Sequence, residues 1–161
     1  MYKWLTLMLI STNIMASPIT DLNKVGEGEM HYLFWTIYAA EFYRSEHSAP
    51  EVRQALRITY YKSISQQNLI EATLDQWQHL GYQPEEMVRW SVSLVKIWPS
   101  VKPGDKLTFV SNNHGEGQFF FDGKPIGSIQ DPTFADAFLD IWLSERTTEP
   151  KLRKQLLGLS Q

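Results

Sequence analysis

Apolar residues in this chain alternate at strand spacing in some stretches and recur at helical spacing in others. Residues 106–110 alternate, with Leu107 and Phe109 on one side, as a strand with one covered face does. Residues 118–121 and 124–129 flank Asp122-Gly123. That dipeptide suits a type I′ hairpin turn, because both central residues of the turn need φ > 0. Asp131-Pro132 then reads as a helix start, Asp as the N-cap and Pro in the first turn, where its missing N–H costs nothing. Phe134, Phe138, Ile141 and Trp142 recur at i, i+4, i+7 and i+8, so this helix has one apolar face to lay on the strands.

The earlier half follows the same logic. Residues 30–43 are apolar at both parities, Tyr32, Phe34, Tyr38 and Phe42 against Leu33, Trp35, Ile37 and Ala39. That pattern predicts one long central strand covered on both faces, with a bend near Ala39-Ala40. Residues 55–62 make another strand, with Leu56, Ile58 and Tyr60 on one side. Ser65 is the expected N-cap of a helix, with Ile64 and Leu69 as a hydrophobic staple and Gly81 as the residue that ends it. Leu69, Ile70, Thr73, Leu74, Trp77 and Leu80 form its buried stripe. A second helix opens at Pro84, with Glu85 and Glu86 at its positive end, and turns Met87, Trp90, Leu94 and Trp98 inward until Pro99. A last helix follows Thr148, with Leu152, Leu156 and Leu159 facing inward. Strands and helices come in groups and do not alternate, which makes the class α+β.

Composition narrows the function. A chain of 161 residues with 43% hydrophobic and 13% aromatic content is expected to fold as one domain with a substantial core. A net charge of −3 without a basic stripe argues against a nucleic-acid partner, and no polybasic segment offers a grip on an anionic membrane. Residues 1–16 read as a signal peptide, with Lys3 ahead of an apolar run and Ala16 as the last residue removed. Ser11, Thr12 and Asn13 interrupt that run, which falls short of the roughly 20 apolar residues a membrane span needs. The expectation is an exported, periplasmic domain over residues 17–161 with no transmembrane span. The absence of Cys excludes disulfides and thiol chemistry.

Catalytic motifs are not found. The four His residues, His31, His47, His79 and His114, lack the i, i+4 pairing of a zinc helix, and residues 113–116 read as a polar turn, so no metal is expected. Ser128, in Gly127-Ser128-Ile129, lacks the second glycine of a nucleophile elbow. Gly26-Glu27-Gly28 opens no helix and has no following Lys, so it is no phosphate loop, and no cofactor is expected. The acidic pairs Glu85-Glu86 and Asp136/Asp140 have helix-surface spacing.

Gly104-Asp105, Phe121-Asp122-Gly123-Lys124, Gly127-Ser128-Ile129, Phe134, Phe138 and Ile141-Trp142-Leu143, in this order and spacing, resemble the bacterial branch of the chalcone isomerase-like family. The resemblance runs from about Gly26 to the C-terminus. It implies an open-faced β-sandwich, an antiparallel sheet covered by a layer of helices. True chalcone isomerases use an Arg near the first strand to stabilise a developing oxyanion. A Thr and a Tyr organise water there, and an Asn and a Ser/Thr contact the flavanone. Here residues 26–43 contain no Arg, and Arg44 lies past the expected place. Tyr38 stands near the Thr position, residues 67–75, where the Tyr and Asn would lie, hold Asn68 and Asp75 but no Tyr, and Thr148 matches the late Ser/Thr. Without the cation that preorganises the oxyanion site, flavonoid isomerisation is not expected.

The same family includes non-catalytic members that hold fatty acids between sheet and helices. The resemblance therefore implies an apolar pocket, with Trp35, Tyr38, Phe42, Tyr60, Trp77 and Trp90 as candidate lining. A tyrosine hydroxyl would fix the headgroup, and Arg57 or Lys62 would pair a carboxylate. The leading expectation is a non-catalytic exported domain that binds a fatty acid or other apolar ligand. One alternative is an isomerase or lyase, with Tyr38 or Tyr60 as general acid and Glu41 or His31 as base. The other is a structural or assembly domain with a filled core.

Overall fold

A computed structural model describes residues 17–159, and the expected leader, residues 1–16, lies outside them. Three strands come first, β1 (Asn23–Tyr32), β2 (Trp35–Arg44) and β3 (Gln54–Tyr60). Two helices follow, α1 (Gln66–Leu80) and α2 (Pro84–Ile97), then strands β4 (Lys106–Ser111), β5 (Gly117–Phe121) and β6 (Lys124–Ile129). Helices α3 (Phe134–Leu143) and α4 (Pro150–Leu156) close the chain. The strands form one antiparallel sheet in sequence order, β1 to β6, so every strand pairs with its chain neighbours. The α+β class and the helix-covered antiparallel sheet agree with the sequence expectation.

Local chemistry sets most boundaries. Ser65 Oγ accepts a hydrogen bond from Asn68 N at 3.1 Å, capping α1, and Gly81 ends it at φ 88°. Asp122 (φ 49°) and Gly123 (φ 82°) make the β5–β6 turn with both residues at positive φ, as a type I′ hairpin requires. Helix α3 starts two residues later than expected. Asp131 forms a turn ahead of it, accepting from Thr133 N at 2.9 Å and Thr133 Oγ1 at 2.7 Å, and Thr133 is the N-cap residue. Leu159 was expected to face inward, but α4 ends at Leu156 and Leu159 is exposed.

The largest departure lies in residues 30–43, which form a hairpin and not one central strand. The chain reverses at Leu33-Phe34, with Leu33 in the left-handed region at φ 54°. No Gly, Asn or Pro marks this turn, and leucine rarely adopts that conformation, so the apolar run reads as uninterrupted. Tyr32, Leu33, Phe34 and Trp35 are all exposed, Phe34 at 99%.

Strand parity places the helices. Tyr38, Ala40 and Phe42 of β2 share a face with Leu56, Ile58 and Tyr60 of β3 and with Leu107 and Phe109 of β4. Phe138 on α3 is the centre of the packing on that face. Its ring lies 4.8 Å from Phe109, 5.3 Å from Phe119, 5.9 Å from Trp98 and 5.1 Å from Trp142, and stacks on Phe134 at 5.6 Å. Helix α4 closes on β1, where a Cβ at Gly26 would sit 2.0 Å from the Gln155 carbonyl oxygen, so only glycine allows the approach. On the opposite face, Ile19, Leu22, Tyr43 and Ala55 form a small separate cluster.

Asp131 ties α2 to the start of α3, accepting from Arg89 Nε at 2.9 Å and Trp90 Nε1 at 3.0 Å. Burial opposes its ionisation, but these bonds and those from Thr133 outweigh it and hold its carboxyl well below the usual range. The stabilisation is complete above about pH 4, the ordinary unfolded value, and fades as pH falls toward the lower folded value. Acid titration of the melting temperature should therefore show a steeper loss below that pH for wild type than for Asp131→Asn. Truncating Phe138 to Ala should cost about 3–5 kcal/mol in urea unfolding, the range for a buried Phe that leaves a cavity.

Candidate apolar-ligand site

Between the sheet and helices α1 and α3 lies a cavity of about 220 Å³. Ile37 and Tyr38 of β2, Ile58 and Tyr60 of β3 and Leu107 of β4 make its floor. Leu69, Ala72 and Thr73 of α1 roof it, and Phe138, Ile141 and Trp142 of α3 wall it. Its remaining polar residues, Asn68, Gln76, Thr148 and Glu149, are exposed or half-buried and gather at the rim. Thr148 Oγ1 donates to Gln76 Oε1 at 2.9 Å, joining α1 to the loop before α4. Among the described residues, no Lys, Arg or His lines the cavity.

Among its inner polar groups, the Thr73 hydroxyl is used up on Leu69 O at 2.8 Å, the Trp98 indole N–H is buried without a partner among the described residues, and two tyrosines supply hydroxyls. Trp142 Nε1 donates to Tyr38 Oη at 2.9 Å, so the Tyr38 proton remains available. Burial pushes the Tyr38 hydroxyl up to about 12, and the charge of Glu149 adds to the shift. Tyr60 is 4% exposed, edge-on to Tyr38 with ring centroids 6.1 Å apart. Burial raises its hydroxyl above the ordinary range as well, and the hydroxyl has no hydrogen-bond partner among the described residues. Both phenols are therefore neutral at physiological pH. A neutral phenol can donate to or accept from a ligand oxygen, but it carries no charge to offset that of an anion.

Residues 21–158 match the chalcone isomerase-like family. The chain belongs to the chalcone isomerase-like family. An uncharacterized protein of Haemophilus influenzae is 23% identical over 149 residues, covering 91% of this chain and 73% of that one. The crystal structure of a fatty-acid binding protein of Arabidopsis thaliana superposes with a TM-score of 0.65 at 11% identity, covering 86% of this chain and 87% of that one. At that identity the likeness concerns the fold, which is the chalcone isomerase-like sheet and helix layer.

Against this family fold, the candidate residues separate by position. Tyr38 and Tyr60 line the cavity, and so do Asn68 and Thr148, two positions singled out by comparison with true chalcone isomerases. The remaining candidates lie elsewhere. Arg57 points to the opposite face, because Leu56 and Ile58 on either side of it face the helices. There it donates to Glu41 and to Tyr43 Oη at 2.9 Å, while Lys24 Nζ sits 2.9 Å from Glu41 Oε1. Burial opposes ionisation of Glu41, yet hydrogen bonds from Arg57 and Lys24 hold its carboxyl below the ordinary range. Arg57 is thus committed to an ion-pair cluster on the far side of the sheet and does not meet a ligand in this cavity.

Trp35 is corrected too. It is 59% exposed at the β1–β2 hairpin, with the Lys62 ammonium 4.1 Å from its ring centre, so neither residue lines the cavity. Phe42, Trp77 and Trp90 are buried in solid core, outside the lining. Their packing requires it: Trp77 lies 4.9 Å from Trp90, and its Nε1 donates to Ala137 O at 2.8 Å. Of the bases considered for an isomerase, Glu41 lies across the sheet from the tyrosines. His31 is exposed beside Thr36, its Nδ1 3.1 Å from Thr36 Oγ1.

The sequence reading passed over Ala72, Gln76 and Glu149. A usable signal existed, since Asn68, Ala72 and Gln76 recur at i, i+4 and i+8 and form a second face of α1 beside its apolar stripe. Among the described residues no cluster of His, Asp and Glu has the makings of a metal site. Because Arg57 faces away, Arg57→Ala should leave the affinity of an apolar probe within twofold of wild type in a fluorescence titration. The same variant should lower stability by about 1–3 kcal/mol, as the charge-assisted bonds of a partly buried pair are lost while Lys24 still partners Glu41.

Proposed function

We propose that this domain is an exported, non-catalytic carrier that binds a fatty acyl or other slim apolar molecule in the cavity between sheet and helices. The observation that supports this reading most is the cavity itself. It is lined mainly by aliphatic and aromatic side chains, with the two neutral tyrosines, the Trp98 indole and Thr73 buried within and Asn68, Gln76, Thr148 and Glu149 at the rim. That division, apolar walls with a few placed polar groups, is what a small-molecule site needs. The likeness in fold to a protein described as binding fatty acids points the same way. A volume of about 220 Å³ falls below the roughly 300–1,000 Å³ of sites for drug-sized molecules, which favours one extended chain over a multi-ring compound.

Export rests on residues 1–16 alone, and its test is the N-terminal sequence of the mature protein recovered from the periplasm. For the ligand, native mass spectrometry of gently purified protein should find a bound apolar molecule that organic extraction releases. Added alkyl probes should bind about fourfold tighter per extra methylene, the equivalent of ~0.8 kcal/mol each, until the cavity is full. Ala72→Trp, which fills the space from the exposed side of α1, should abolish uptake while leaving the melting temperature nearly unchanged. Protein that purifies empty and takes up no alkyl probe would leave the filled-core scaffold as the better reading.

A further inference from the structure

Resting on the carrier reading, we infer that the cavity selects an uncharged ligand, a long-chain alcohol, ester or ketone, over a free fatty-acid anion. The argument is one of charge placement. A carboxylate drawn into an apolar site needs a cation or several donors to replace its water. The cavity lining contains no Lys, Arg or His among the described residues, and the one charged side chain it does contain is the carboxylate Glu149. Glu149 is close enough to Tyr38 for its charge to act on that hydroxyl, so an anion held by the tyrosines would meet it. The cation nearest in sequence to the lining on β3, Arg57, is on the other face of the sheet and already paired.

What the cavity does offer is hydrogen bonding without charge. Tyr38 has its hydroxyl oxygen occupied by Trp142 and its proton free, and the buried Tyr60 hydroxyl is unpartnered among the described residues. Their rings are 6.1 Å apart. One ligand oxygen lying between them could accept a hydrogen bond from each hydroxyl, and the buried indole N–H of Trp98, another lining residue, has no partner among the described residues either. An alcohol, ester or ketone oxygen does this at no electrostatic cost.

The test compares dodecane, dodecanol, methyl dodecanoate and dodecanoate at pH 7, by competition against a neutral fluorescent alkyl probe on the full mature chain. The expected result is at least tenfold tighter binding of the alcohol and ester than of the carboxylate. Glu149→Gln should narrow that gap by improving dodecanoate alone, since Glu149 makes no side-chain cap bond to α4 and its replacement leaves the helix start intact. Tyr60→Phe should weaken the alcohol and ester several-fold and leave dodecane unchanged, a split that a loss of folding would not produce. Dodecanoate binding as tightly as the alcohol would overturn the inference while the carrier reading stood. Failure of all four probes, dodecane included, would overturn both.

Discussion

The seating of α3 on the sheet is the contact from which the remaining structure follows. Phe134 and Phe138, stacked one turn apart, press into Phe109 and Phe119 on β4 and β5, and Phe138 reaches Trp98 at the end of α2. Large rings meeting edge to face bury much apolar area within a small volume. They also define where packing stops. Beyond Phe138 toward β2 and β3, the lining passes to Ile58, Tyr60 and Tyr38, whose side chains do not close the space beneath α1, and the cavity begins there. Core and cavity are thus adjoining regions of one interface.

The sheet separates two kinds of chemistry by strand parity alone. Toward the helices it presents Tyr38, Phe42, Leu56, Ile58 and Tyr60. On the other side it presents Glu41, Tyr43 and Arg57, with Lys24 joining from β1. A half-buried ion-pair cluster is tolerable on the side that keeps contact with water, whereas on the helix side each charge would pay for desolvation. The cavity consequently contains phenols, threonine hydroxyls, amides, an indole N–H and one rim carboxylate, and its recognition chemistry is that of uncharged hydrogen bonding.

Much of this was legible in the chain. The Ser65 cap, Gly81, the Asp122-Gly123 turn and the helical spacing of Phe134, Phe138, Ile141 and Trp142 each act over a few residues, so local sequence carries them. Tyr38 and Tyr60 were legible as cavity candidates because the family resemblance implies an apolar pocket and a tyrosine hydroxyl is a group that can fix a ligand oxygen in one. The Leu33-Phe34 reversal was not, since no turn-forming residue marks it and its apolar side chains imitate a buried strand. Phe42, Trp77 and Trp90 were indistinguishable from lining residues because a large apolar side chain fits a filled core and a cavity wall equally well.

The sequence by itself therefore determined the elements other than the β1–β2 hairpin, most of their apolar faces, the α+β class and the family, because propensity, capping and periodicity act between near neighbours. Only the tertiary structure decided which aromatic residues fill the core and which border the cavity, that Arg57 faces away, and that Glu149 and Tyr38 line the same cavity. Those outcomes depend on registers and crossings that bring together residues more than 100 positions apart, such as Tyr38 and Glu149 in the cavity lining, and no local pattern encodes such a placement.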